Sequence, residues 1–220
     1  MHIAIDGPSG AGKSTVAKAL AKEMNCIYLD TGAMYRTVGL LAVRKGVDTH
    51  DDAALAQMLK SAKIEVRLLP EGQHMMLNGE DVEGLIRNEK IGMAASDVAV
   101  CPSVRKILVD IQRGIAAEND VVMDGRDIGT HVLPNAEYKF FLTASPEVRA
   151  KRRYDQLIAN GQEADYNKVL EAVIKRDDQD IHRKESPLQV AEDAMEINTD
   201  GLSIEETVSL LMAMTGQMLG

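Results

Sequence analysis

The chain has 220 residues, with 25 basic against 34 acidic side chains, a formal net charge of −9, 45% hydrophobic and 3% aromatic content. That length suits one domain with room for an insertion, and the hydrophobic share suffices for an aliphatic, methionine-rich core. So acidic a chain repels phosphate polymers and anionic lipid, which argues against a nucleic-acid polymer or a membrane as partner; basic residues count only where they cluster.

Strands and helices alternate along the chain. HIAID (2–6) is a short apolar run that stops at GPSGAG, and KSTVAKALAKEM (13–24) follows with Val16, Leu20 and Met24 at helical spacing. CIYLD (26–30) reads as a second strand, and AMYRTVGLLAVRKG (33–46) as a second helix closed by Gly46. Helices are also predicted over 51–61 and 103–117, the latter with Val104, Ile107, Leu108, Ile111 and Ile115 on one stripe. VVMD (121–124) and YKFFLTA (138–144) are the third and fourth strands. SPEVRAKRRYDQL (145–157) begins a helix with Ser145 as cap and Pro146 in first position. A long helix over 166–183, a fifth strand AMEIN (194–198) and a last helix capped by Ser203 with Glu206 complete the series.

One segment breaks the alternation. KIEVRLLPEGQHMMLNGEDV (63–82) alternates apolar and polar residues around PEG and NG turn signals, so it predicts a small antiparallel unit inserted between core elements. The remainder implies a parallel sheet with helices on both faces and ligands at the carboxyl ends of its strands.

GPSGAGKS (7–14) fits the pattern G-x-x-x-x-G-K-[ST] and lies between a strand and a helix, where its physics requires. Gly7, Gly10 and Gly12 let the backbone, running through Pro8, Ser9 and Ala11 into Thr15, wrap closely enough to aim its amides at phosphate oxygens. Lys13 can reach β- and γ-phosphates, Ser14 offers a hydroxyl to Mg²⁺, and the helix N-terminus adds partial positive charge. This predicts an ATP or GTP phosphate site. Motors, GTPases and small-molecule kinases all use such a loop. A GTPase would add a guanine-reading N-K-x-D, but the one NK, in NKVL (167–170), lacks the aspartate. The acceptor-side residues favour a kinase.

Three further places follow from the strand ends. In DTGAMYR (30–36), Thr31 and Gly32 are predicted to form a turn, with Tyr35 and Arg36 one turn into the helix; Arg36 can grip an anion bidentately or be an ordinary solvated arginine. In VVMDGRDIGT (121–130), Asp124, Arg126 and Asp127 should emerge beside the phosphate loop. Arg126 could neutralise a substrate phosphate, and Asp124 could orient Mg²⁺, its waters or a nucleotide hydroxyl. Asp127 could accept a hydrogen bond; the alternative for all three is a local salt-bridged turn. Arg176, Asp180 and Arg183 share one helix stripe, a spacing that also makes an ordinary stabilising pair. Separately from these three, Arg149, Arg152 and Arg153 follow the fourth strand and form either a solvated face or a lid that closes over transferring phosphates.

Taken in order, GPSGAGKS, DTGAMYR, SDVAVCPSVR, DGRDIGT, the arginine-rich segment and RDDQDIHR resemble the bacterial cytidylate kinases across essentially the whole chain. The resemblance implies an α/β P-loop fold of three layers: a five-stranded parallel sheet, a small antiparallel nucleotide-binding insertion and a helical lid. It implies one domain, 1–220, with the insertion at 60–90 and the lid at 145–165. Its implied activity is ATP-dependent phosphorylation of CMP or dCMP with Mg²⁺. Ser96, Arg105 and Asp127 would then read cytosine, while Arg36, Arg126 and Arg183 hold the monophosphate with Tyr35 nearby. Arg176 and Asp180 would contact the sugar, and Thr31, where related sequences often carry serine, would contact CMP through its hydroxyl. The chemistry is consistent, because cytosine presents an amino donor where uracil presents a carbonyl, and a carboxylate such as Asp127 accepts from the first only. Lys13, Arg126, Arg152 and Arg153 would spread transition-state charge, with Asp124 beside them.

Two other readings are open at this level. One is a P-loop kinase of another acceptor, of UMP/CMP, AMP or shikimate type; the other is a slowly hydrolysing nucleotide switch. The five histidines show no metal-ligand spacing and read as surface or packing residues, while Met75, Met76 and LLMAMTGQML (210–219) read as core filler. Cys26 and Cys101 form no paired motif, and Cys26 reads as a small buried hydrophobe. The opening MHIAIDGPSG lacks the basic and apolar regions of a signal peptide, and no run reaches the ~20 apolar residues of a spanning helix. A cytoplasmic monomer acting on ATP and CMP or dCMP is expected, without nucleic-acid polymer or membrane.

Overall fold

The structure, a computed structural model, describes residues 1–69 and 72–216. Its elements begin with β1 (His2–Asp6), α1 (Lys13–Glu23), β2 (Ile27–Asp30), α2 (Thr31–Lys45) and α3 (Asp52–Leu59). Next come β3 (Ile64–Leu69), β4 (Gly72–Leu77), β5 (Glu80–Asp81), α4 (Glu89–Val98), α5 (Pro102–Glu118) and β6 (Val121–Asp124). A π-helical turn (Ile128–Val132) precedes β7 (Tyr138–Thr143), α6 (Pro146–Ala159), α7 (Tyr166–His182), β8 (Met195–Asn198) and α8 (Ile204–Met214).

Among the described residues the larger sheet has five strands in the order β2-β6-β1-β7-β8. Strands β6, β1, β7 and β8 pair in parallel, with Ile5 opposite Asp124, Asp6 opposite Phe141 and Thr143 opposite Asn198. Strand order reverses on either side of β1, so its carboxyl end opens on the crevice where open α/β sheets take ligands. The smaller sheet is antiparallel, β3-β4-β5. Asn78 and Gly79 both take left-handed backbone, φ 52 and 86, between Leu77 and Glu80; this is the mirror-image turn that matches strand twist. Of the PEG turn signal, Pro70 and Glu71 lie outside the described residues, as do Gln217, Met218 and Leu219 near the C-terminus.

The chain divides into two compact units, Met1–Cys26 with Val121–Gly220, and Ile27–Asp120. Ile3, Ile5, Leu20, Met123 and Phe140 are fully buried in the first. Its last helix carries the expected reciprocal cap: Ser203 accepts from the Glu206 amide and Glu206 from the Ser203 amide. The second unit has its own core, including Met34, Leu41, Leu55, Met75, Ile86, Val98, Val104 and Leu108. There α2 and α4 pack at glycine distance: a methyl on Gly39 would lie 3.0 Å from the Ala95 nitrogen.

Three local expectations are corrected, and one helix is added. Thr31 and Gly32 do not form a turn but open α2, because the Asp30 carboxylate caps it by accepting from the Ala33 amide at 2.9 Å. On α5 the buried stripe runs through Val104, Leu108, Val109 and Ala116, whereas Ile107 is exposed. Cys26 is half-buried rather than buried. Helix α4 was not anticipated. Gly92, Ala94, Ala95, Ser96 and Asp97 dilute its apolar stripe, and its clearest signal is the Asn88 cap, which accepts from the Ile91 amide at 3.0 Å.

Candidate active site

The phosphate loop takes its shape from the backbone. Gly7, Gly10 and Gly12 have φ of 142, 82 and 89, values that side-chain-bearing residues rarely adopt. A methyl on Gly7 would fall 1.9 Å from the Leu142 carbonyl oxygen, so glycine is required there on steric grounds as well. Gly12 then caps α1, whose first residues are Lys13, Ser14 and the exposed Thr15. The buried Lys13 ammonium donates to the Pro8 carbonyl at 2.7 Å, closing the loop on itself. Burial, reinforced by Arg126, pushes the Lys13 pKa well down; Asp124, Asp180 and Asp6 oppose that shift.

Strand pairing delivers the second half. Because β6 lies beside β1 in register, Asp124 reaches the loop and accepts from the Ser14 hydroxyl at 2.8 Å. Beyond it, Arg126 donates through Nε to Asp180 at 2.8 Å and through Nη1 to the Gly125 carbonyl at 3.0 Å. Burial opposes the Arg126 charge, but Asp180, Asp124 and Asp6 outweigh it and raise its pKa. Burial would likewise raise Asp180, yet Arg126, Arg176 and Arg183 hold its carboxyl below the usual range. Arg183, the residue that ends α7, places Nη2 3.4 Å from the buried Asp127 carboxylate and donates through Nε to the Ser186 carbonyl. Arg126, Asp127, Arg176, Asp180 and Arg183 therefore form one mixed-charge network.

Asp6 was missed, although an acidic residue ending an apolar strand just before GPSGAGKS was a visible signal. It accepts from the Ile128 and Gly129 amides at 2.8 and 2.7 Å and so fixes the π-helical turn behind Arg126 and Asp127. Burial raises its pKa to about 6 against those two hydrogen bonds. Asp177 was missed too. It pairs with Arg149 at 2.9 and 2.6 Å, while Arg149 also donates to the carbonyls of Ala144 and Ser9. Arg149 is thus buried and tied to the phosphate loop rather than part of a solvated face. Arg152 donates to Gly10 and Thr199, and the half-buried Arg153 to Gln156.

In the second unit, Arg36 on α2 donates to the Ile86 carbonyl at 3.4 Å, and Ser96 on α4 donates to the Gly92 carbonyl at 3.3 Å. Arg105 is buried, donates to the Ala99 carbonyl at 3.4 Å and lies 5.8 Å from the Tyr35 ring centroid, within cation–π range. Thr31 is buried in the first turn of α2. The Asp30 cap ahead of it is held by the insertion. Gln73 bonds both its backbone N–H and its carbonyl, and Arg87 meets its carboxylate at 2.7 Å.

Strand order, loop and positive-φ glycines define a P-loop kinase fold, and solved structures agree. A shikimate kinase from Bacteroides thetaiotaomicron is 14% identical with a TM-score of 0.50, covering 98% of each chain. A gluconokinase from Sinorhizobium meliloti 1021 is also 14% identical, with a TM-score of 0.51 over 96% of this chain and 89% of its own. The family profile described as cytidylate kinase matches residues 3–217. The cytidylate kinase of Geobacillus kaustophilus (strain HTA426) is 49% identical over 220 residues, covering 100% of this chain and 98% of its own. That of Caldicellulosiruptor bescii is 48% identical over 212 residues, covering 96% and 94%. This chain belongs to the cytidylate kinase family.

Proposed function

We propose that the chain transfers the γ-phosphoryl group of ATP to CMP or dCMP, giving ADP and CDP or dCDP. Family membership over residues 3–217 is the observation that carries this reading. It disfavours the shikimate-type and AMP-type alternatives, since the likeness to a shikimate kinase at 14% identity is one of fold alone.

ATP would lie along residues 7–15, with loop amides and Lys13 on its phosphates. In the first unit, Arg126 and Arg183 would hold the acceptor phosphate, Arg176 and Asp180 its sugar, and Asp127 the cytosine amino group. In the second, Arg36 with Tyr35 would serve the phosphate, Ser96 and Arg105 the base, and Thr31 would offer its hydroxyl to CMP. An acceptor phosphate oxygen then attacks the γ-phosphorus in line, and no covalent enzyme intermediate is needed. Lys13, Arg126, Arg152 and Arg153 would spread the charge that develops. Exclusion of water by segment 145–165 would protect ATP from hydrolysis.

The residues present suit Mg²⁺. A loop hydroxyl and a carboxylate 2.8 Å apart offer hard oxygen donors, with Ser14 as direct ligand and Asp124 as acceptor for the ion's waters. Bound there, Mg²⁺ would neutralise charge on the β- and γ-phosphate oxygens. No helix among the described residues is long and apolar enough to cross a membrane. We propose a cytoplasmic monomer.

ADP release from ATP should be measured with CMP, dCMP, UMP, AMP and shikimate as acceptors. Fast turnover with CMP and dCMP alone is expected. Turnover independent of acceptor, or faster with AMP or shikimate, would overturn the reading.

A further inference from the structure

We infer that Gly92, a residue outside every nucleotide-binding motif in the chain, is a positioning residue that sets where the Arg36 guanidinium lies. This rests on the proposed role of Arg36 in holding the acceptor phosphate. Gly92 is buried in the second turn of α4, a helix packed on α2. A methyl on its α-carbon would lie 3.0 Å from Nη1 of Arg36, 3.7 Å from Cζ and 3.7 Å from Nη2. The guanidinium therefore rests on bare helix backbone. Its Nη1 also donates to the Ile86 carbonyl, just ahead of α4.

Gly92 has ordinary helical geometry and donates its amide to the Asn88 carbonyl at 3.0 Å. Conformation does not require glycine here, because an interior helical position favours alanine. Space does. The group a methyl would meet is the far end of a flexible side chain, so the cost of Gly92→Ala falls on guanidinium position and not on the backbone. The Gly92 carbonyl meanwhile accepts from the Ser96 hydroxyl. One helical residue thus meets Arg36 with its α-carbon and Ser96, a proposed base contact, with its oxygen. Only the first would be disturbed by a methyl.

A charge-assisted, bidentate grip on phosphate depends on angle as well as distance, so a displaced guanidinium loses affinity without losing charge. In Gly92→Ala the KM for CMP is expected to rise about tenfold, with the KM for ATP unchanged and the melting temperature equal or higher. The CMP:UMP preference should hold, because the displaced group acts on the phosphate and not on the base. Arg36→Ala and the double variant complete a cycle. If the inference is right, Gly92→Ala adds little once Arg36 is gone.

The outcomes separate cleanly. If Arg36→Ala leaves the CMP KM unchanged, the phosphate role of Arg36 fails. If Arg36→Ala weakens CMP but Gly92→Ala does not, or if the two effects simply add, the inference about Gly92 fails. Should Gly92→Ala not fold, recovery of folding in the double variant would show that the clash is with Arg36; no recovery would overturn it.

Discussion

Around the phosphate loop the main chain makes the site: three glycines at positive φ bend it, and Lys13 closes it onto the Pro8 carbonyl. Along α2, α4 and α5 the backbone is regular helix, and the proposed acceptor chemistry sits on side chains, Arg36, Ser96 and Arg105, each of which donates to a carbonyl. A site made of backbone must be contiguous, so it is written as a short motif. One made of side chains can recruit from distant turns and leaves no spacing rule. On the proposed reading the first kind would take any nucleoside triphosphate, while the second would be free to choose an acceptor.

Four measurements would break or sharpen that contrast. Lys13→Ala should lower kcat by about 10²–10³ while leaving the fold intact, since its charged form is disfavoured by burial. Near-native turnover would remove Lys13 from the donor half. Asp127→Asn should narrow the preference for CMP over UMP by about 10–10² in kcat/KM, as a buried carboxylate is exchanged for an amide. An unchanged ratio would strip Asp127 of base recognition.

A smaller effect comes from pH. The Asp6 pKa is raised from 3.8 to about 6, so the folded protein gains stability from this group as pH falls from about 6 towards 4, and ionised Asp6 costs stability above that range. Protonation also weakens its acceptance from the Ile128 and Gly129 amides. Activity should therefore decline below about pH 6 without a matching loss of stability from this group, and Asp6→Asn should flatten that limb. A low-pH limb that persists in the variant would acquit Asp6. Smallest is Arg87→Ala, which breaks a partly exposed ion pair to the α2 cap and should cost about 1 kcal/mol or less in urea unfolding. It should leave the KM for ATP untouched, and a changed ATP KM would mean that the insertion also serves the donor half.

Much of the frame was legible because local chemistry fixes it. Short apolar runs mark the parallel strands, Asn78-Gly79 turns the inserted hairpin, and Ser203 with Glu206 starts the last helix. Helix α4 buries mostly small residues, Gly92, Ala94 and Ala95, between Ile91 and Val98, so its apolar stripe is faint in the sequence, and the π-helical turn over IGTHV owes its shape to Asp6, 122 residues before Ile128. Likewise, nothing around Asp177 hints that it faces Arg149, 28 positions earlier. Proposed acceptor residues such as Ser96 and Arg105 could be named through family resemblance but not from spacing, as neither lies in a motif with its own geometry.

The Arg149–Asp177 pair has a consequence for affinity. Through Arg149, hydrogen-bonded to the Ser9 carbonyl and packed against Gly10, the glycine-rich turn is braced by two helices and is not a free hairpin. A triphosphate bound there as proposed would meet a receptacle already ordered, and little of its binding free energy would go into immobilising the turn. If residues 7–15 hold the triphosphate as proposed, its capture by so glycine-rich a segment draws on preorganisation supplied from a helix far along the chain.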